Sequence, residues 1–299
     1  MTAATDQLAA ATSAVTIEVG TLSAANANLS TQLSQLGAIN ANLLAENAAL
    51  KAQIANPPTT GLPPLPAGWT KTQFIELFDK PLDPAVWNVR NDSGQNNNYA
   101  NNLASNVVVA GSVLSIKGGK NPTGSADPYN AGYIDTKGKK SWAGAFYAEA
   151  RLRFPYGTTA YGLWPAWWMR PDDGGNGEID MMECWPRKNQ VSATIHHDYD
   201  KAGTPGHQGH VGKNFPARDW TQWHTFAVEK DTGILKFYVD GALVWDASAV
   251  PWRQEIFDNN RAWHFRHCLQ IGDGWGGMPD ANTDFTKTYD TDYIRVLGR

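Results

Sequence analysis

At 299 residues, 42% of them hydrophobic, the chain is long enough for one large domain plus an accessory piece and apolar enough to bury a sizeable core. A formal net charge of -4 leaves no electrostatic footprint for nucleic acid or an anionic membrane, and both are set aside as partners. Cys184 and Cys268, the only cysteines, have neither metal-ligand spacing nor the number that a disulfide-built scaffold needs; a single bridge stays open, and two reduced thiols are the better reading.

Residues 1–6 lack the basic segment and continuous apolar run of a secretory signal, and no stretch reads as long enough to span a bilayer. Residues 1–55 contain no Trp, Phe or Tyr, a composition that sets them apart from the rest. Leu8, Val15, Leu22, Leu29, Leu36, Leu43 and Leu50 fall every seventh residue, and Thr12, Val19, Asn26, Leu33, Asn40, Asn47 and Ile54 follow each four later. As d and a positions these predict an N-terminal α-helical coiled coil with a left-handed seam, an oligomerisation stalk through which the chain self-associates. The alternative is a single amphipathic helix lying on a globular core. Gly20 and Gly37 cost helix propensity, while polar a positions fix register at a cost in stability. Asp6, Glu18, Glu46 and Lys51 are the only charges, too few for salt bridges to select the partner.

Asn56-Pro57-Pro58 stops the helix, because proline lacks the N–H donor and disfavours helical geometry before it. Residues 56–68 read as a Pro-rich, semi-rigid linker. From 69 to 299 the pattern becomes short β-branched and aromatic runs separated by Gly, Asn, Asp and Pro, as in Val113-Leu114-Ser115-Ile116 and Leu235-Lys236-Phe237-Tyr238-Val239. Alternation of this kind predicts an all-β antiparallel sandwich. Thirteen tryptophans suit such a domain if it handles sugars, since indole faces stack on pyranose rings, with about half of them expected in the core.

The informative run is Leu163-Trp164-Pro165-Ala166-Trp167-Trp168-Met169, a Gly/Asp turn, then Gly177-Glu178-Ile179-Asp180-Met181-Met182-Glu183. Strand side chains alternate, so Glu178 and Asp180 share a face while Glu183 would point the other way. One extra residue, a β-bulge near Met181 or Met182, returns all three acids to one face. Side chains leaning inward then bring the glutamates toward the ~5 to 5.5 Å of retaining glycosidases. On that geometry Glu178 attacks the anomeric carbon, Glu183 acts as acid and then base, and Asp180 raises its neighbours' proton affinity and hydrogen-bonds the nucleophile. A solvated acidic edge or a calcium cluster is the competing reading, set against the apolar Ile179, Met181 and Met182, which require a buried opposite face.

This segment resembles the signature of glycoside hydrolase family 16, in the bulged form of laminarinase-like members. The resemblance runs through the C-terminal domain: Phe78-Asp79, Trp87-Asn88, Ala131 through Gly138, Glu149 through Leu152, Thr194-Ile195-His196, Trp223 through Glu229, Phe237 through Gly241 and Asp292 through Val296 follow in the family's order. It implies a concanavalin-like β-jelly-roll sandwich with an open cleft, and retaining hydrolysis inside β-1,3 or β-1,3/1,4 chains of a polysaccharide. By position it makes Glu178 the nucleophile, Asp180 the assisting acid and Glu183 the acid/base. It matches Trp164 and Trp168 to cleft tryptophans, His196 to a histidine beside the catalytic strand, and sets Trp275 against the same cleft, with core or loop packing as the alternative for the last two. No cofactor is required.

Departures accompany the likeness. Gln270 stands in Leu269-Gln270-Ile271-Gly272 where many members carry Asn. A structural calcium is known in some members; Asp292 matches one ligand position, but Leu77 stands where an acidic partner is expected, so the metal is left unassigned. His196, His197, His207 and His210 fit no common zinc spacing. A stalk without a signal peptide resembles a bacteriophage tail or spike component, which implies a virion or extracellular setting, host-surface polysaccharide as target, other tail proteins as partners, and a homotrimer favoured over a dimer. A non-catalytic carbohydrate-binding adhesin and a purely structural knob are the other readings; the first has no need of three acids, and the second leaves the tryptophans unexplained.

Overall fold

The computed structural model describes residues 2–55, 62–93, 99–123, 127–154, 161–185, 190–197, 209–250, 253–258, 260–272 and 277–299. The chain divides into two compact units, residues 1–63 and 64–299.

The first unit is one α-helix, Thr2–Ala55. Threonines enter it by turning their hydroxyls back on the helix: Thr12, Thr16, Thr21 and Thr31 each donate to the carbonyl four residues earlier, at 2.8 to 3.0 Å. Leu8, Val15, Leu22, Leu29 and Leu36 of the sevenfold stripe are all exposed in the single chain. Contrary to the expectation that no stretch is long enough to span a bilayer, Ala3–Gly37 passes by length and composition. Alanine explains the difference, since it raises the average apolarity of the whole segment while the leucines keep to one stripe.

The second unit is a sandwich. Among the described residues, one sheet runs, edge to edge, Gly209–Asn214, Gln190–His197, Glu178–Trp185, Leu163–Pro171, Trp263–Ile271, Tyr133–Asp135 and Asn88–Val89, with antiparallel neighbours. The other runs Ala242–Asp246, Ile234–Val239, His224–Asp231, Phe146–Arg153, Tyr289–Gly298, Val113–Ile116 and Val107–Ala110, and Lys71–Glu76 also pairs with Tyr289–Gly298. Ile234–Val239 alternates half-buried and buried residues, as a strand does with one face on a core. Tyr289–Gly298 is buried throughout, because Trp69 and Tyr147 pack with its Leu297 in a cluster separate from the main core.

Between the sheets lie Trp167, Trp263, Phe146, Phe226, Phe265 and Ile294, each fully buried and each worth about 1.5 to 3 kcal/mol. Among the described residues seven of the eleven tryptophans are buried, rather more than the half that composition suggested. Cys184 belongs to this core whereas Cys268 packs with Tyr133, Ala166 and Trp168 in a separate cluster. Both thiols are free, and burial raises both pKa values, that of Cys268 to about 11.

Candidate active site

The site is built on the strand Glu178–Trp185, antiparallel to Leu163–Pro171 on one side and Gln190–His197 on the other. Gly177 leads into it at φ +102°, where a Cβ would stand 2.6 Å from Ile256 and 2.9 Å from Trp263; only glycine brings the chain over that helix and strand. Along one edge Trp168 pairs with Asp180 and Trp167 with Met182, so Met181 has no counterpart. Along the other edge the three steps from Asp180 to Glu183 oppose the two from Thr194 to Ser192. This is the bulge that the spacing of the acids required. Ile179, Met181, Met182 and Cys184 consequently all enter the core, and Glu178, Asp180 and Glu183 share the opposite face.

The three carboxyls have different surroundings. Glu183 accepts from Trp164 Nε1 on Oε1 at 3.1 Å and from the Thr194 hydroxyl on Oε2 at 2.8 Å. Burial first, and the charge of Asp180 second, push its pKa up to about 8. Asp180 is raised well above the carboxylate range, again by burial first and then by Glu178, with Arg170 opposing. Its buried Oδ2 receives no hydrogen bond, although His196 Nε2 lies 3.3 Å away. Glu178 is more open: Arg170 Nη1 donates to its Oε2 at 3.2 Å, and His196 Nε2 stands 3.6 Å from its Oε1.

Two carboxyls that hold their protons, Glu183 and the intervening Asp180, thus share a face with a third, Glu178, that carries a guanidinium partner. A neutral Asp180 adds no second negative charge beside Glu178 and has a proton to donate to it. Glu183 has a proton to give at neutral pH and donors ready to receive the anion it becomes.

Trp164 is therefore a direct partner of Glu183, and its ring stacks on Trp185 at 4.4 Å. Trp168 is buried, its Nε1 directed to Cys268 Sγ at 3.4 Å and its face covered by Arg266, whose Cζ is 4.7 Å from the ring centre. His196 joins the carboxylates, with the His210 ring 5.5 Å away. Trp275 and His207 lie outside the described residues. Arg170 went unremarked in the sequence and Thr194 stood only within the Thr194-Ile195-His196 run with no role assigned, although parity was the available signal: Arg170 shares a face with Trp164 and Trp168, and Thr194 with His196.

Glu178, Asp180 and His196 bring ligand atoms within 4.8 Å of one another. A cation there would have to displace Arg170 from Glu178 and the proton from Asp180. Nor do the residues at Asp292 fit calcium. Its Oδ2 is taken by Arg151 Nη1 at 2.7 Å, and Leu77 is apolar.

The sequence profile described as Glycosyl hydrolases family 16 matches residues 95–294. Glucan endo-1,3-beta-glucosidase A1 of Niallia circulans is 30% identical over 237 residues, which are 72% of this chain and 33% of that protein. The chain spans between a quarter and about a third of the length of the curated relatives it matches. Among solved structures, the catalytic domain of an endo-1,3-beta-glucanase (laminarinase) from Thermotoga petrophila is 26% identical with a TM-score of 0.65, over 77% of this chain and 98% of that one. The endo-beta-1,3-glucanase of Pyrococcus furiosus, 23% identical, shares the fold with a TM-score of 0.66 over 77% of this chain and 94% of its own.

Proposed function

This chain belongs to glycosyl hydrolase family 16, and on that premise we propose that it is a retaining endo-glycosidase cutting internal β-1,3 linkages of a polysaccharide. The observation that carries the reading is the bulge at Met181, which aims a buried, proton-holding Glu183 from the same face as the more open Glu178. Glu178 attacks the anomeric carbon, and its bond to the sugar forms as the glycosidic bond breaks. Glu183 passes its proton to the departing oxygen and becomes an anion held by Trp164 and Thr194. In the second half Glu183 takes a proton from water, the hydroxide attacks the same carbon from the vacated side, and Glu178 leaves with its electron pair. Asp180 and His196 orient Glu178 throughout, while Arg170 stabilises it as the carboxylate. The β-1,3 linkage is that of the related glucan endo-1,3-beta-glucosidase of Niallia circulans and endo-1,3-beta-glucanase of Thermotoga petrophila.

Reducing-sugar release from laminarin, lichenan, agarose and host-envelope polysaccharide tests the reading. Activity on the β-1,3-linked members of that panel is expected in the wild type and none in Glu178→Gln. Binding without turnover on every glycan would make the domain an adhesin.

The same proposal extends to the helix. A stripe of leucines at heptad spacing, exposed in the single chain, is buried most simply by the same stripe of further copies. The reading is a three-stranded stalk that displays the hydrolase, as a phage tail or spike component does, against a host-surface polysaccharide. Light scattering on the full chain is expected to give three chain masses; one chain mass would remove the stalk.

A further inference from the structure

A cation that the reaction does not use lies two strands away from Asp180. Trp168 pairs with Asp180 on one side and with Arg266 on the other, so all three project from the cleft face, Arg266 about 10 Å from the carboxylate strand at two strand spacings. Ten arginines fall among the described residues, and nine of them pair with a carboxylate: Arg170 with Glu178, Arg90 with Asp135, Arg151 with Asp292, and so on around the sandwich. Arg266 is the tenth. Asp135, its register partner on the next strand, is already held by Arg90 at 2.6 Å and by Asn88 at 2.8 Å.

What Arg266 has instead of a counter-charge is orientation. Its Nε donates to His264 Nε2 at 3.1 Å, and His264 Nδ1 stands 2.8 Å from Asp172 Oδ1. An imidazole that accepts on Nε2 carries its proton on Nδ1, and burial, then the charge of Arg266, keep His264 neutral by lowering its pKa to about 4. The guanidinium is laid over the Trp168 ring at 4.7 Å, half-buried, with neither Nη among the buried polar atoms that lack a partner. A permanently charged, planar fork, held over an indole and half-exposed, suits the two coplanar oxygens of a carboxylate or sulfate. Sugar hydroxyls do not require that charge, and elsewhere among the described residues this protein neutralises it.

The geometry points to Arg266 as a specificity-determining residue for an anionic substituent, so that the preferred substrate is an acidic glycan rather than an undecorated glucan. The inference rests on the glycosidase reading above and names its substrate class.

The test compares kcat/KM of the full-length protein on one neutral β-1,3-glucan and on its lightly carboxymethylated and lightly sulfated forms, at low and high NaCl. One or both acidic forms are expected to be cut about tenfold more efficiently through a lower KM, and the advantage is expected to shrink in high salt as screening rises. The better of the two forms identifies carboxylate or sulfate. Arg266→Met is expected to bring the acidic-to-neutral ratio to about one, and Arg266→Lys to restore part of it. A wild type that favours the neutral glucan, or whose preference ignores salt, overturns the inference without any variant. So does a preference that survives in Arg266→Met. Failure to cut any of the three would instead strike the hydrolase reading itself.

Discussion

Glu183→Gln should abolish turnover and yet stabilise the sandwich in alkaline solution. Burial, then Asp180, raise the Glu183 pKa from 4.5 to about 8 in the folded protein. In the unfolded chain the same carboxyl ionises near its ordinary value, so between about pH 4.5 and 8 the unfolded state sheds a proton that the folded state retains. With the folded pKa raised, the group's contribution to stability is complete below the unfolded value and is lost as pH rises through the folded one. The full shift corresponds to about 5 kcal/mol at 1.36 kcal/mol per unit; interaction with Asp180 and a compact denatured ensemble bring the observable part to about 2 to 3 kcal/mol. Glutamine has nearly the same shape, still accepts from Trp164 Nε1, and lets the Thr194 hydroxyl turn to accept from its amide. Urea unfolding followed by tryptophan fluorescence should therefore show no gain at pH 4.5 and a gain of about 2 to 3 kcal/mol at pH 8.5. An effect of equal size at both pH values, or a loss at pH 8.5, would refute the reasoning.

Thr194→Val removes the donor on Glu183 Oε2, which favours the anion about twice as strongly as the neutral acid; the alkaline limb of kcat/KM, set near pH 8 by Glu183, should move up by about one unit. A limb that does not move would mean that another group sets it. Deleting Met181 leaves Glu178-Ile179-Asp180-Met182-Glu183, a plain two-residue repeat whose two steps from Asp180 to Glu183 match the two on each neighbouring strand, so all three acids keep the cleft face and the variant should retain activity while losing about 2 to 5 kcal/mol of core packing. A deletion variant that stays folded and is inactive would show that matching parity alone does not aim Glu183. Arg170→Met takes the guanidinium from Glu178 and should lower kcat by about ten- to a hundredfold, with KM little changed and Arg170→Lys partly restoring it; a fall confined to KM would assign Arg170 to sugar binding.

The bulge was legible because it follows from arithmetic: Glu178 and Asp180 share parity, Glu183 does not, and three acids on an otherwise apolar strand have to point the same way. The sandwich was legible for a related reason, since the two-residue repeat that builds Ile234–Val239 is written in its side chains. Pairing between distant strands was not. Nothing local in Trp-Trp-Met-Arg-Pro says that Arg170 meets Glu178 across a turn, and nothing in His264-Phe265-Arg266 says that Arg266 will lie on Trp168 while Asp135 is claimed by Arg90. Those facts depend on register, which brings residues 135, 168, 180 and 266 side by side from four separate stretches of chain. The tryptophans show the same limit. Alternation and the family likeness put Trp168 rather than Trp167 on the cleft face, but only the fold shows Trp168 buried there against Cys268 and under Arg266.

The division of labour between the two glutamates is tested most directly by trapping the covalent intermediate. Incubating the protein with an activated fluorosugar of the β-1,3-glucan series, then mapping the added mass by peptide sequencing, should find a single sugar ester on Glu178. An ester on Asp180 or Glu183, or release of product with inverted anomeric configuration, would contradict the account.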